Sequence, residues 1–269
     1  LGHNRLSIND LSKNGSQPMV SNNERYVIIF NGEIYNFLDL RKKYFSNSTI
    51  FKSGSDTEVL IEMISQYGLR CTLNEIEGMF AFVLLDKKNN NIFLVRDKFG
   101  EKPLYYGNFN QYFFFASELK SFSNIKNFNF EISDEALSYY FKYRYINSPL
   151  TIYKNFYKLN PSTYLKIDIN SNNFFSINPS NHINYWNISN VISKNFSNNE
   201  SNYEQSEKKI EESLIDSVSK RLISDVPVGT FLSGGIDSSL ITSIASKISS
   251  KKINTFTMKS EDSLYDESI

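Results

Sequence analysis

The residues with the clearest chemistry are Ser233-Gly-Gly-Ile-Asp-Ser-Ser239, which follow the apolar run Val228 to Leu232. Gly234 and Gly235 permit positive φ and let the backbone approach an anion closely. Ser233, Ser238 and Ser239 add hydroxyl donors. Behind them Leu240, Ile241, Ile244, Ala245 and Ile248 recur at helical spacing. A strand, a tight loop and a helix start point several N–H groups at one spot, and such a spot attracts phosphate. The loop holds no Lys and no G-x-x-x-x-G-K-[ST], which excludes a Walker P-loop. The plain alternative is an ordinary helix start capped by Asp237 or Ser238.

Three elements must position this loop. A helix predicted over Glu204 to Ile223 carries Ile210, Leu214, Ile215, Val218 and Leu222 on one stripe and delivers the chain to the first strand. Ile253 to Met258 alternates as a second strand. Strand, loop, helix and strand of this length form one right-handed parallel unit, with ligands beyond the carboxyl ends of its strands. Residues 233–239 and Met258 then face one crevice. The seven-residue string resembles the pyrophosphate loop of ATP pyrophosphatases, which split ATP between its α and β phosphates.

Upstream, strand-like runs follow one another: Tyr26 to Phe30 ending at the turn dipeptide Asn31-Gly32, then Met79 to Leu85, Asn91 to Val95, Leu104 to Tyr106, Tyr112 to Ala116 and Thr163 to Ile167. Helices are predicted over Phe37 to Phe45, Thr57 to Tyr67 and Asp134 to Tyr143. Consecutive strands with helices between them indicate a layered, antiparallel α+β domain. Asn170 to Tyr203 turns Ser/Asn-rich and reads as a connection, in which aromatics such as Tyr185-Trp186 anchor to a neighbouring surface.

At 269 residues the chain is long enough for two modest domains. Lys plus Arg and Asp plus Glu balance at 29 each, so charge makes no case for nucleic acid or an acidic membrane. A single cysteine, Cys71, excludes an internal disulfide and reads as a buried or half-buried spectator in a reducing compartment. No apolar run is long enough to span a bilayer and no signal peptide opens the chain, which points to a cytoplasmic protein.

Leu1-Gly-His-Asn-Arg-Leu-Ser-Ile8, Asn31-Gly-Glu-Ile-Tyr-Asn36, Ser53-Gly-Ser-Asp-Thr-Glu58, Gly78-Met-Phe-Ala-Phe82, Arg96-Asp-Lys-Phe-Gly100 and Lys102-Pro-Leu-Tyr-Tyr106 occur in that order. Together they resemble the class II glutamine amidotransferase domain of glutamine-dependent asparagine synthetases. The fold this implies is an α+β N-terminal-nucleophile hydrolase sandwich (αββα), followed by the start of an α/β ATP-pyrophosphatase domain of the adenine nucleotide α-hydrolase type. The implied boundaries are 1–170, a linker over 171–203, and 204–269.

The resemblance also implies roles. Arg5 matches the clamp on the α-carboxylate of glutamine, a task suited to a guanidinium fork. Asp56 pairs with the α-ammonium, and Glu33 lines the substrate. Asn31, through its amide, and Gly32, through its backbone N–H, match the oxyanion hole. Leu232, Ser233, Gly234, Gly235, Ile236, Asp237, Ser238, Ser239 and Met258 match the ATP site, with Asp237 a partner to Mg²⁺. Lys259-Ser260 departs from the Gly-Phe common in the family after Met258. Arg96-Asp97 is expected to be a structural ion pair, and His3 and His182 receive no role.

The family's nucleophile is an N-terminal cysteine, and neither Leu1 nor Cys71 can replace it. The expectation is a fragment cut at both ends, with Asp266 capping a further helix. The implied reaction converts glutamine, aspartate and ATP to asparagine, glutamate, AMP and pyrophosphate, with no nucleic acid or membrane partner. Homodimerisation is an arrangement the resemblance allows. Two alternatives stay open: a relative acting on another carboxylate, as β-lactam synthetase-like enzymes do, and a non-catalytic glutamine-binding remnant.

Overall fold

The computed structural model describes residues 1–46, 50–109, 111–124, 130–171, 176–195, 202–260 and 267. Two compact units divide the chain: Leu1–Leu6 with Ser12–Val191, and Ser7–Leu11 with Ile192–Ile269. The expected cap Asp266 lies outside the described residues.

The first unit is built around two long strands, β2 (Tyr26–Ile34) and β3 (Gly78–Asp86), paired antiparallel from Tyr26↔Asp86 to Ile34↔Gly78. Short β1 (Met19–Val20), β4 (Asn91–Arg96), β8 (Thr163–Asp168) and β9 (Ile183–Asn184) complete a six-stranded sheet in the order β1-β2-β3-β4-β8-β9. A second sheet, β6-β5-β7, uses β5 (Tyr105–Phe109), β6 (Tyr112–Ala116) and β7 (Phe156–Lys158).

Alternation gives the large sheet two apolar faces. On one, Ile28, Phe30 and Ile34 lie opposite Leu84, Phe82 and Gly78. Against it packs α2 (Asp56–Tyr67), flanked by α1 (Phe37–Tyr44) and α3 (Leu69–Glu75). Val59, Leu60, Ile61, Met63 and Ile64 of α2 are buried. On the other face Ala81, Val83, Leu94, Leu165 and Ile167 meet Leu104, Tyr106 and Leu159 in a core between the sheets. The outer side of the small sheet is covered by the 3₁₀ turn Leu119–Asn124, whose buried Phe122 stacks 5.0 Å from Phe156, and α4 (Asp134–Tyr143) buries Ala136. Helix, sheet, sheet, helix is the expected αββα sandwich.

Several expectations need correction. Asn31-Gly32 is no turn: β2 runs through both residues to Ile34, because the ladder with β3 continues opposite them. Cys71 is exposed, on a short helix that buries Thr72 and Leu73 instead. Arg96 and Asp97 are structural, but not as an ion pair. Arg96 donates to the carbonyls of Lys102 (2.8 Å), Leu159 (2.6 Å) and Gly100 (2.5 Å). Asp97 accepts from the N–H groups of Phe80, Phe99, Glu101 and Lys102. Both side chains spend themselves on turning the backbone.

The Ser/Asn-rich segment adds β9 to the first unit's sheet, and its aromatics hold to that unit. Tyr185 is buried and its hydroxyl donates to the Arg96 carbonyl at 2.8 Å, while Trp186 meets Phe99 edge-on at 5.5 Å. His182 lies 2.7 Å from the Tyr106 hydroxyl, and burial pulls its pKa from 6.5 down to about 4. A depressed folded pKa means stability present above pH 6.5 and lost as pH falls through about 4. Discounted for partial exposure, the loss is roughly 1–2 kcal/mol. Thermal unfolding followed from pH 7 to pH 4 should show this slope flatten in His182→Gln; an unchanged slope would locate the proton uptake elsewhere.

After α5 (Ile188–Asn195), the second unit packs α6 (Tyr203–Arg221) against α7 (Ile236–Ile248) through Val218, Ile244 and Ala245, with Leu214, Ile215, Leu222, Ile248 and Ile253 around them. Leu240 and Ile241, on the same expected stripe, are exposed. Strands β10 (Gly229–Phe231) and β11 (Asn254–Phe256) pair in parallel as predicted. Ser7–Leu11 joins this unit: Asp10 N–H donates to the Asp225 carboxylate at 2.7 Å, and Asp225 N–H to the Ile8 carbonyl at 3.2 Å. Among the described residues no helix is long and apolar enough to cross a membrane.

Candidate functional site

In the first unit the site lies along the edge of β2 that faces away from β3. Antiparallel strands send the N–H groups of every second residue the same way. Phe30 N–H donates to Gln17 Oε1 at 2.6 Å and Ile34 N–H to Asp56 Oδ2 at 2.8 Å. Gly32 N–H sits between them and points to the same edge. Its cross-strand neighbour Phe80 confirms the parity, because Phe80 bonds Asp97 through both its N–H (3.2 Å) and its carbonyl (2.8 Å). Glycine is required at position 32 by close approach: a Cβ there would run into the Met79 carbonyl and the Phe80 Cα. Asn31 and Glu33 flank it, half-buried, with side chains on the opposite face from Phe30 and Ile34.

Asp56 opens α2 without capping it. Ser55 is the cap, accepting from Glu58 N–H, which leaves the Asp56 carboxylate free to reach β2. It is 6% exposed. Burial raises its pKa, opposed by the Ile34 and Thr57 N–H bonds and by the positive charge of Arg5. Arg5 is half-buried and donates through Nη1 to the Ser12 carbonyl at 3.4 Å. His3 lies beside both Arg5 and the Phe30 carbonyl, and burial lowers its pKa. Arg5, Asp56, Gly32 and the β2 edge are therefore neighbours, although they are up to 51 residues apart in sequence.

Two supporting side chains escaped the sequence reading. Glu58 accepts from Lys52 N–H (2.8 Å), Ser53 N–H (2.6 Å) and the Ser53 hydroxyl (2.6 Å), so it holds the turn before α2. Its signal was legible, since Ser55 followed three residues later by Glu58 is a capping-box pattern. Gln17 ties β2 to Thr57 of α2. Nothing local marks it.

In the second unit residues 232–235 form the loop between β10 and α7, and residues 236–239 open the helix. Gly234 adopts φ +75°, the left-handed region that favours glycine. Gly235 is the N-cap of α7, not Asp237 or Ser238. Ser238 Oγ lies 3.1 Å from Ser233 Oγ, accepts from Ser233 N–H at 3.2 Å and donates to the Gly235 carbonyl at 3.1 Å. The turn is thus cross-braced with Asp237 and Ser239 in the first turn of the helix. Leu232 is pinned at both backbone groups, to the Phe256 carbonyl (2.8 Å) and the Thr257 hydroxyl (2.8 Å). Ile236 and Met258 are exposed. Among the described residues no group of three or more His, Cys, Asp or Glu is arranged to hold a metal.

Residues 1–178 match the family model described as a glutamine amidotransferase domain. The chain belongs to that family. Residues 209–269 match the asparagine synthase model, so the two modules follow one another as in glutamine-hydrolysing asparagine synthetases. The chain is 36% identical, over 99% of its length and 52% of the relative's, to a protein of Methanocaldococcus jannaschii named putative asparagine synthetase [glutamine-hydrolyzing] 2. It is 36% identical to asparagine synthetase [glutamine-hydrolyzing] 1 of Bacillus subtilis, over 99% of its own length and 39% of that protein. This amidotransferase-family chain therefore spans about half or less of the curated relatives it matches. Among solved structures it resembles a Bacillus subtilis glutamine phosphoribosylpyrophosphate amidotransferase at 20% identity and TM-score 0.43, covering 59% of this chain and 31% of that one.

Proposed function

We propose that the protein is a glutamine-hydrolysing asparagine synthetase, using ATP to activate the β-carboxylate of aspartate and glutamine to supply the ammonia. The observation that carries this reading is the β2 edge, where Gly32 N–H lies between two tethered N–H groups, one of them held by the buried Asp56 carboxylate. Arg5 clamps the α-carboxylate of glutamine and Asp56 its α-ammonium, with Glu33 lining the pocket. Attack on the side-chain amide builds negative charge on its oxygen, which Gly32 N–H and the Asn31 amide stabilise. The family's nucleophile, an N-terminal cysteine, is not among these residues.

In the second unit Leu232 to Ser239 cradle the phosphates of ATP. The left-handed turn at Gly234 and the start of α7 present backbone N–H groups, and the Ser233 and Ser238 hydroxyls keep the loop in shape. Met258, beyond β11, lies against adenine. Asp237 is the carboxylate at this loop that would hold a nucleotide-bound Mg²⁺, and the ion would offset charge on the departing pyrophosphate. The relatives' names favour aspartate as the acceptor. ATP, aspartate, glutamine and the full-length protein should yield AMP and pyrophosphate by ³¹P NMR. ADP with phosphate, or turnover with a different acid alone, would refute the assignment.

A further inference from the structure

We propose that Gly15 positions the Arg5 guanidinium and so sets the protein's specificity for ligands that carry an α-carboxylate. The inference rests on the reading of Arg5 as the carboxylate clamp and extends it to a residue outside the resemblance motifs.

Gly15 is buried in the 3₁₀ turn Lys13–Gly15. It is not among the positive-φ glycines of the described chain, so its backbone conformation does not call for glycine. The reason lies in space. A Cβ at this position would stand 2.5 Å from Arg5 Nη2 and 2.7 Å from both Cζ and Nη1. The three nearest atoms all belong to the guanidinium, whose Nη end occupies the space a side chain at position 15 would need. The same turn takes an edge of the group, through the Nη1 bond to the Ser12 carbonyl. The close approach at Gly15 and the bond to Ser12 together seat a fork whose value lies in presenting two parallel N–H bonds to a carboxylate.

The turn is itself braced against the rest of the pocket. Ser12 Oγ accepts from Asn14 N–H at 3.2 Å, and Ser16 N–H donates to the Lys13 carbonyl at 3.1 Å. The Asn14 amide donates to the Lys52 carbonyl at 2.9 Å, joining the turn to the segment that leads into Asp56. Two residues on, Gln17 bonds β2 and α2. The guanidinium seat is therefore referenced to the same elements that hold Asp56 and Gly32. A methyl group at position 15 has no backbone strain to overcome and meets only the far end of a flexible side chain. The fold survives and Arg5 moves.

The test uses Gly15→Ala in the full-length protein, with calorimetric affinities for L-glutamine and for L-glutaminamide, which lacks the carboxylate charge. Gly15→Ala should weaken glutamine by about tenfold, the scale of a charge-assisted hydrogen bond, and glutaminamide by less than about twofold. In an Arg5→Ala background the same substitution should add nothing. Equal weakening of both ligands, or unchanged glutamine affinity, would overturn the proposal. If Arg5→Ala alone leaves the preference for glutamine over glutaminamide intact, the clamp reading fails instead. Should Gly15→Ala melt early, Asn14→Ala carries the test by loosening the seat from Lys52. It should narrow the same preference, and an unaltered preference there would also overturn the idea.

Discussion

Replacing Gly32 with alanine should cost about 3 kcal/mol of stability, at the upper end of what overpacking costs, and should remove glutamine hydrolysis from the full-length protein. Part of the cost is conformational, since φ at Gly32 is +158°, a value L side chains rarely adopt. The larger part comes from collision with the Met79 carbonyl and the Phe80 Cα, backbone atoms that cannot rotate aside. The two central strands would have to part near one end of their ladder. Gly78, two positions along the ladder, meets the Glu33 carbonyl in the same way, so the strands approach closely on both sides of the Glu33↔Met79 pair. Parting them also moves Gly32 N–H, and an oxyanion donor is worth roughly 10²–10³ in rate. Gly68 is the control, with φ +81° and open space around it. There alanine should cost less, about 1–2 kcal/mol, from backbone strain alone, because φ +81° with ψ 159° is a region L side chains rarely adopt. Urea unfolding of the two variants compares them directly. Equal losses would refute the close-approach account.

Asp56→Asn should weaken glutamine binding by about a hundredfold while leaving stability within about 1 kcal/mol. The substitution keeps the shape and an acceptor for Ile34 N–H, but removes the charge that pairs with an ammonium. Stability is nearly conserved because the lost charge-assisted bond is offset by relief from burying a carboxylate. The pH dependence has a definite sign. Burial raises the Asp56 pKa, so protonation occurs at a higher pH than for an ordinary carboxylate. Glutamine affinity should therefore decline early as pH is lowered from neutrality, and the decline should vanish in Asp56→Asn. Folding runs the other way, because a raised folded pKa makes protonation favour the fold, a gain lost as pH rises through that pKa. Calorimetric titration across pH 5 to 8 would check the binding slope. Parallel slopes in both proteins would exclude Asp56 as the ammonium partner.

What could be read from the sequence was local, and what could not was mostly long-range. Residues 233–239 were legible because strand, glycine-rich turn and helix follow one another directly, and the structure builds β10, a left-handed Gly234 and α7 in that order. The strands and their layering were legible from period-two patterns. Asn31-Gly32 misled, because a common turn dipeptide outweighed the chance that β3 would pair across it. The expected Arg96-Asp97 ion pair failed for a related reason. Adjacent opposite charges look like partners, yet each side chain finds backbone groups brought near by folding. Gln17 acts across 13 residues on Phe30 and across 40 on Thr57, and no local pattern announces such a link. Cys71 was expected indoors by its type and stands outside because its helix turns Thr72 and Leu73 inward.

The central claim is that ammonia released along the β2 edge ends in a carboxylate activated by ATP held at Ser233 to Ser239. The most direct measurement supplies the full-length protein with amide-¹⁵N glutamine, aspartate and ATP, then follows label and pyrophosphate together. The account predicts ¹⁵N in the side-chain amide of asparagine, with glutamate, asparagine and pyrophosphate formed in equal amounts. Glutamate accumulating without pyrophosphate, or pyrophosphate released without label in the product, would contradict it.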